Sequence, residues 1–105
     1  MSRLAEVIDR LTATLEVRRG ADPSVSWTAK LIADPSLAAR KLGEEAVEAV
    51  VAALSQDEAA LASEAADVIY HLLALLAAKG VSPDAVAAVL EGREGKSGIE
   101  EKAGR

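Results

Sequence analysis

Between Glu64 and Ala78 the polar side chains are Glu64, Asp67, Tyr70 and His71. Val68, Ile69, Leu72, Leu73, Leu75 and Leu76 cover nearly every other direction around the helix that this stretch predicts. A helix apolar almost all round is a buried helix, so it must lie against protein or a closed cleft. Glu64, Asp67 and His71, spaced by three and four, share one stripe along it. Buried carboxylates are costly unless something compensates them. The fold must enclose this helix and also answer its acids.

Turn and cap signals place that helix among others and predict an all-α chain of four to five helices. Leu4, Val7, Ile8, Leu11 and Leu15 mark one face of a helix from Ser2 to Arg18, ended by Gly20. Asp22-Pro23-Ser24 is a turn, and Ser26 to Ile32 allows about two helical turns. Asp34-Pro35 starts a helix that runs to about Leu54. Ser55-Gln56-Asp57-Glu58 reads as a capping box opening the next helix, which Gly80 closes. Ser82-Pro83-Asp84 starts a last helix ending near Gly92, and the charged, glycine-bearing segment from Arg93 to Arg105 reads locally as a mobile tail. No linker divides the 105 residues, so 1–105 is expected to be a single domain.

The core these helices can build is thin. The chain holds 23 alanines but only Trp27 and Tyr70 as aromatics. Short alanine-lined helices bury little area each, which predicts a helical bundle completed by homodimerisation. The absence of cysteine excludes disulfides, thiolate metal sites and a cysteine nucleophile, and fits a cytoplasmic location. The first residues lack a signal-peptide core, and the longest apolar run, Leu72 to Ala78, is too short to cross a bilayer. A net charge of −5 disfavours a nucleic-acid partner held through phosphates.

A second acidic stripe lies on the preceding helix. At about 100° per residue, Glu44, Glu45 and Glu48 gather near the direction of Lys41, with Leu42, Ala46, Val47, Val50 and Leu54 opposite. Taken alone, that stripe is more often a solvated face. Antiparallel helices joined by the short Ser55-Gln56 turn, however, set Glu45 and Glu48 against Glu64 and Asp67. Four converging carboxylates would not stay ionised together without a cation. A hard divalent ion, Mg²⁺ or Mn²⁺, meets the need through oxygen ligands. His71 is at best an outer hydrogen-bonding partner, and Tyr70 is expected in the core with its hydroxyl at a polar edge.

Such a site has no nucleophile machinery and no glycine-rich phosphate loop. Magnesium on carboxylates grips phosphate oxygens, and a spare carboxylate can orient or deprotonate an attacking water. Lys30, Arg40, Lys41, Lys96 and Lys102 are candidate phosphate clamps, though each alone is more often a surface charge. The residues thus point to Mg²⁺-dependent attack on a phosphoanhydride and leave the substrate open.

Four stretches carry a resemblance: Ser26-Trp27-Thr28-Ala29-Lys30-Leu31, Lys41 to Glu48, Glu64 to Leu73, and Ser97-Gly98-Ile99-Glu100-Glu101-Lys102. Together they make the chain similar to the phosphoribosyl-ATP pyrophosphohydrolases of histidine biosynthesis, within the all-α, MazG-like nucleotide pyrophosphohydrolases. The acidic pairs are shared by the whole group; the other segments point to the phosphoribosyl-ATP branch. The resemblance implies a homodimer that hydrolyses phosphoribosyl-ATP to phosphoribosyl-AMP and pyrophosphate. It implies Mg²⁺ held by Glu45, Glu48, Glu64 and Asp67, with Glu44, Glu45 and Glu48 as the catalytic acids. Ser26, Thr28, Lys30, Lys41 and Lys102 would meet the substrate and its phosphates, and the tail would order over the ligand. Trp27 stands where the family commonly has Tyr or Phe, so a stacking ring is kept but not a hydroxyl. Two rivals share these features: a house-cleaning nucleoside triphosphate pyrophosphohydrolase of the same fold, and a non-enzymatic helical dimerisation module.

Overall fold

The computed structural model describes residues 2–96 and residue 98. Among them there are five helices and no strand: α1 (Arg3–Arg18), α2 (Trp27–Ala33), α3 (Pro35–Ser55), α4 (Glu58–Lys79) and α5 (Pro83–Arg93). Each begins at a short polar side chain that takes up an otherwise unpaired amide. Ser2, Ser26, Asp34, Asp57 and Ser82 accept from the amides of Ala5, Ala29, Leu37, Ala60 and Ala85. Pro35 and Pro83 occupy first-turn positions, where a missing N–H costs nothing. α4 ends at Gly80, whose φ of 70° lets the Val81 amide reach back to the Leu76 carbonyl at 2.9 Å.

One expected cap is displaced. Ser55 does not open α4; it is the last residue of α3, and its hydroxyl donates to the Val51 carbonyl at 2.7 Å. The chain turns through extended Gln56 and Asp57, and Asp57 caps α4. Serine and aspartate two residues apart compete for the cap. The serine hydroxyl bonds back to the Val51 carbonyl inside α3, and Glu58 falls in the first turn, where the helix dipole favours it.

α3 and α4 pack antiparallel along their lengths, with α2 and α1 laid across the C-terminal half of α4. Leu15 of α1, Ile32 of α2, and Leu73 and Ala77 of α4 form one buried cluster. Leu31, Ala38 and Ala74 form a second, all three fully enclosed, and Tyr70 packs against both. Alanine at 38 and 74 is what allows the helices this close an approach. Arg19 ties α1 to the end of α4 by donating to the Ala77 carbonyl at 2.9 Å while Glu16 holds its guanidinium.

The rest of the chain is less covered than the sequence predicts. Within α4 only His71, Leu73, Ala74 and Ala77 are buried; Leu61 and Leu72 are exposed, because α1 and α2 cover one half of the helix. On α3 the acidic side faces α4, and the opposite, apolar side, with Val47, Val50 and Leu54, is open. α5 buries no residue at all. The radius of gyration is 15.6 Å, against about 13 Å for a compact chain of this length.

α4 is also long and apolar enough to cross a bilayer, which its longest uninterrupted apolar run did not suggest. Glu64 and Asp67 lie well inside it. Ionisable groups at that depth are expensive in hydrocarbon, and here they meet the acids of α3 instead. Its apolarity fits a helix that packs against protein.

The cap assignment has a direct consequence. Asp57→Ala should lower unfolding stability by about 1 kcal/mol. Ser55→Ala should change it by less than about 0.5 kcal/mol. Urea midpoints at one fixed protein concentration would check this, and equal losses would contradict the assignment.

Candidate metal centre

Glu45 and Glu48 stand one turn apart on α3, so both reach toward α4, where Glu64 meets them. One carboxylate oxygen from each lies within 4.8 Å of the others. Oxygens bound to one small cation at about 2.1 Å sit up to about 4.2 Å apart, so the three need only draw in slightly. Asp67 is not one of these three, but its charge is felt by both Glu45 and Glu64.

The electrostatics are those of a site short of positive charge. Burial, then a hydrogen bond with Glu48 and its charge, then Asp67, push the Glu45 carboxyl above the ordinary carboxylate range; His71 opposes the shift. Burial, followed by Glu48 and Asp67, pushes Glu64 up as well. One oxygen of Glu64, Oε2, is buried with no hydrogen-bond partner among the described residues. A proton or a cation would relieve this arrangement, and an all-oxygen donor set fits a hard divalent ion.

Glu44 lies apart from the three. It accepts from Lys41 Nζ at 3.0 Å, lies 3.8 Å from Arg40 Nε, and its carboxyl is held low mainly by the bond from Lys41. Lys41 in turn feels Glu45 and Glu48, so its ammonium borders the cluster. Of the residues expected to meet substrate, Ser26 caps α2, and Thr28 shares a 2.6 Å hydrogen bond with the Tyr70 hydroxyl. Tyr70 is thus in the core with its hydroxyl at a polar edge, as expected. Lys30 is exposed, with its ammonium 5.8 Å from the centre of the Trp27 ring. Lys102 and the segment around it lie outside the described residues.

His71, by its spacing an outer hydrogen-bonding partner at best, is deeply buried. It is 6% exposed, and its Nδ1 lies 2.7 Å from the Asp67 carbonyl oxygen. Its Nε2 is buried without a partner among the described residues. The Asp67–His71 spacing of four was the visible signal; depth of burial was not visible.

The fold and the site together define a small all-α protein with a carboxylate cluster between two antiparallel helices, a donor set of the kind that suits a hard cation. Comparison with known proteins narrows the class. Residues 8–94 match the family model for phosphoribosyl-ATP pyrophosphohydrolase. The phosphoribosyl-ATP pyrophosphatase of Caulobacter vibrioides is 66% identical over 103 residues, covering 98% of this chain and 96% of the relative. Those of Cereibacter sphaeroides and Dinoroseobacter shibae are 63% and 59% identical over 100 residues, covering 94% of this chain and 97% and 98% of the relatives. The chain belongs to the phosphoribosyl-ATP pyrophosphohydrolase family.

The raised carboxyls fix the sign of a pH effect. With folded values above the ordinary 4.5, the folded chain holds more protons than the unfolded chain through that window. Stability without a cation is therefore greatest below the unfolded value and falls as pH rises through the folded ones. Glu44, held low, acts oppositely: its contribution is lost only as pH falls through its folded value. Urea unfolding in chelator from about pH 5 to about pH 8 should show the decline, and Glu64→Gln should flatten it. An unchanged slope in that variant would rule out Glu64 as a source.

Proposed function

We propose that this chain is a Mg²⁺-dependent homodimeric phosphoribosyl-ATP pyrophosphatase, acting at the second step of histidine biosynthesis. The gathering of Glu45, Glu48 and Glu64 between α3 and α4, in a member of this family, is the observation that carries the reading. These three, with Asp67 beside them, hold the cation. When bound, Mg²⁺ supplies charge neutralisation at phosphate oxygens; Mn²⁺ has the same chemistry.

The chain's own groups do the rest. The exposed Lys30 and the partly covered Lys41 offer ammonium groups to the phosphates, with Lys102 of the C-terminal segment as a third. Ser26 and Thr28 set the edge of the substrate-binding face at the start of α2. Among the catalytic acids Glu44, Glu45 and Glu48, a carboxylate not occupied with the cation accepts the proton of an attacking water. Water oxygen bonds to phosphorus, the anhydride P–O bond breaks, and pyrophosphate leaves phosphoribosyl-AMP behind.

Dimerisation follows from what the single chain leaves open. Val50, Val51 and Leu54 on α3 and Leu61 on α4 are all exposed near one end of the helix pair. A second copy of the chain is the natural cover for this apolar surface. Covered in this way, α4 is a core helix of a soluble, cytoplasmic enzyme.

Pyrophosphate release from phosphoribosyl-ATP should require Mg²⁺, stop with chelator, and exceed release from a panel of ordinary and damaged nucleoside triphosphates. Glu48→Gln and Asp67→Asn should each lower turnover by roughly 100-fold or more while helicity and dimerisation persist. Full Mg²⁺-dependent activity in either variant would remove that residue from the ligand set. Better turnover of the triphosphate panel would assign the chain to the house-cleaning rival. Separately, Val51→Asp should shift the sedimentation coefficient toward that of a monomer; an unchanged coefficient would place the interface elsewhere.

A further inference from the structure

His71 is a buried polar side chain with one nitrogen satisfied and the other not. The Asp67 carbonyl oxygen can only accept, so Nδ1 donates across the 2.7 Å contact. In the neutral ring this leaves Nε2 as a proton-free lone pair. That lone pair is buried and unpartnered among the described residues, on a residue 6% exposed. A buried acceptor left unmatched is unfavourable, and a phenyl ring of similar size would fill the space without that cost. Packing alone therefore does not account for histidine here.

Its surroundings suggest what the nitrogen faces. His71 continues the Glu64–Asp67 stripe by one further turn, which places it on the flank of α4 that meets α3. Glu45, across on α3, lies near enough to feel the charge that the His71 ring carries when protonated, which fixes their proximity. Tyr70 closes the other side with its ring edge-on at 4.9 Å. The second orphaned atom, Glu64 Oε2, belongs to the same stripe. Small hard cations keep part of their hydration shell, and those waters donate outward.

We infer that His71 is a positioning residue of the carboxylate centre, its Nε2 accepting a hydrogen bond from an ordered water at the cation site beside Glu45. The inference rests on the cation reading given above. Outer hydrogen-bonding partners of metal sites typically contribute 10–100-fold in affinity.

A pair of isosteric variants separates this role from a structural one. His71→Asn places its amide where Nδ1 lies and keeps the bond to Asp67, but reaches nothing at the Nε2 position. His71→Gln places its amide at the Nε2 position. Mn²⁺ binding to the full-length chain, followed by the electron paramagnetic resonance of free Mn²⁺, gives a readout that needs no substrate or turnover. The Asn variant should bind Mn²⁺ about 10-fold or more weakly, and the Gln variant should recover most of the loss. Thermal unfolding in chelator reports whether each variant is folded, and the comparison uses the soluble folded fraction of each.

Asn binding Mn²⁺ as tightly as the parent would overturn the inference and leave the cation reading standing. Equal weakening in both variants would also overturn it, since an acceptor restored at the Nε2 position would then make no difference. A parent chain that binds no Mn²⁺, alongside an equally inert Glu48→Gln control, would overturn the cation reading and this inference with it.

Discussion

Three mutually repelling carboxylates lie at the middle of the α3–α4 pair, and most of the structure follows from bringing them there. Glu45, Glu48 and Glu64 repel one another, and burial raises the cost of charge on two of them. Something else must hold the two helices together. Enclosed alanines allow close helix approach toward the end of the pair where α1 and α2 add cover, with Ala38 and Ala74 buried against Leu31. The site sits beyond that packed end, where the chain alone provides less cover. A proton, or a divalent ion, reconciles the helices where packing does not.

This division explains an uneven protomer. The packed half contains the clusters around Leu15, Leu31 and Leu73 and the Arg19 tie to α4. The other half exposes Val50, Val51, Leu54 and Leu61, and α5 adds Val86, Val89 and Leu90 to the uncovered apolar surface. Exposed apolar side chains on a short chain are ordinary when scattered. Here several share neighbouring helices near one end, which is the signature of a surface meant to be covered. The proposed association and the proposed cation site thus fall on the same pair of helices.

Much of this was legible from residue spacing. Asp34-Pro35, Ser82-Pro83 and Gly80 marked helix ends correctly because each acts through its own local backbone chemistry. The two acidic pairs were legible as facing stripes because helical periodicity and a short connection leave few ways to arrange them. Local rules failed where two residues competed: Ser55 and Asp57 both suit a cap, and the winner depended on where α3 stops, with Ser55 still inside it and bonded back to Val51. They failed again on exposure. Periodicity identified the apolar side of α3, opposite the acids, but could not say that a single chain would leave it open. His71 lay between these cases, with its stripe legible and its burial set by tertiary packing.

The placement of acids toward the neighbouring helix, with valines facing outward, inverts the usual amphipathic arrangement. For a helix pair in isolation that inversion is unfavourable twice over, through like charges brought together and apolar surface left wet. It becomes favourable once a cation occupies one side and a second chain the other. A chain of 105 residues with only two aromatics has little core to spare for a rigid site. Building the site into the contact that already joins its two longest helices lets the same packing serve both stability and chemistry.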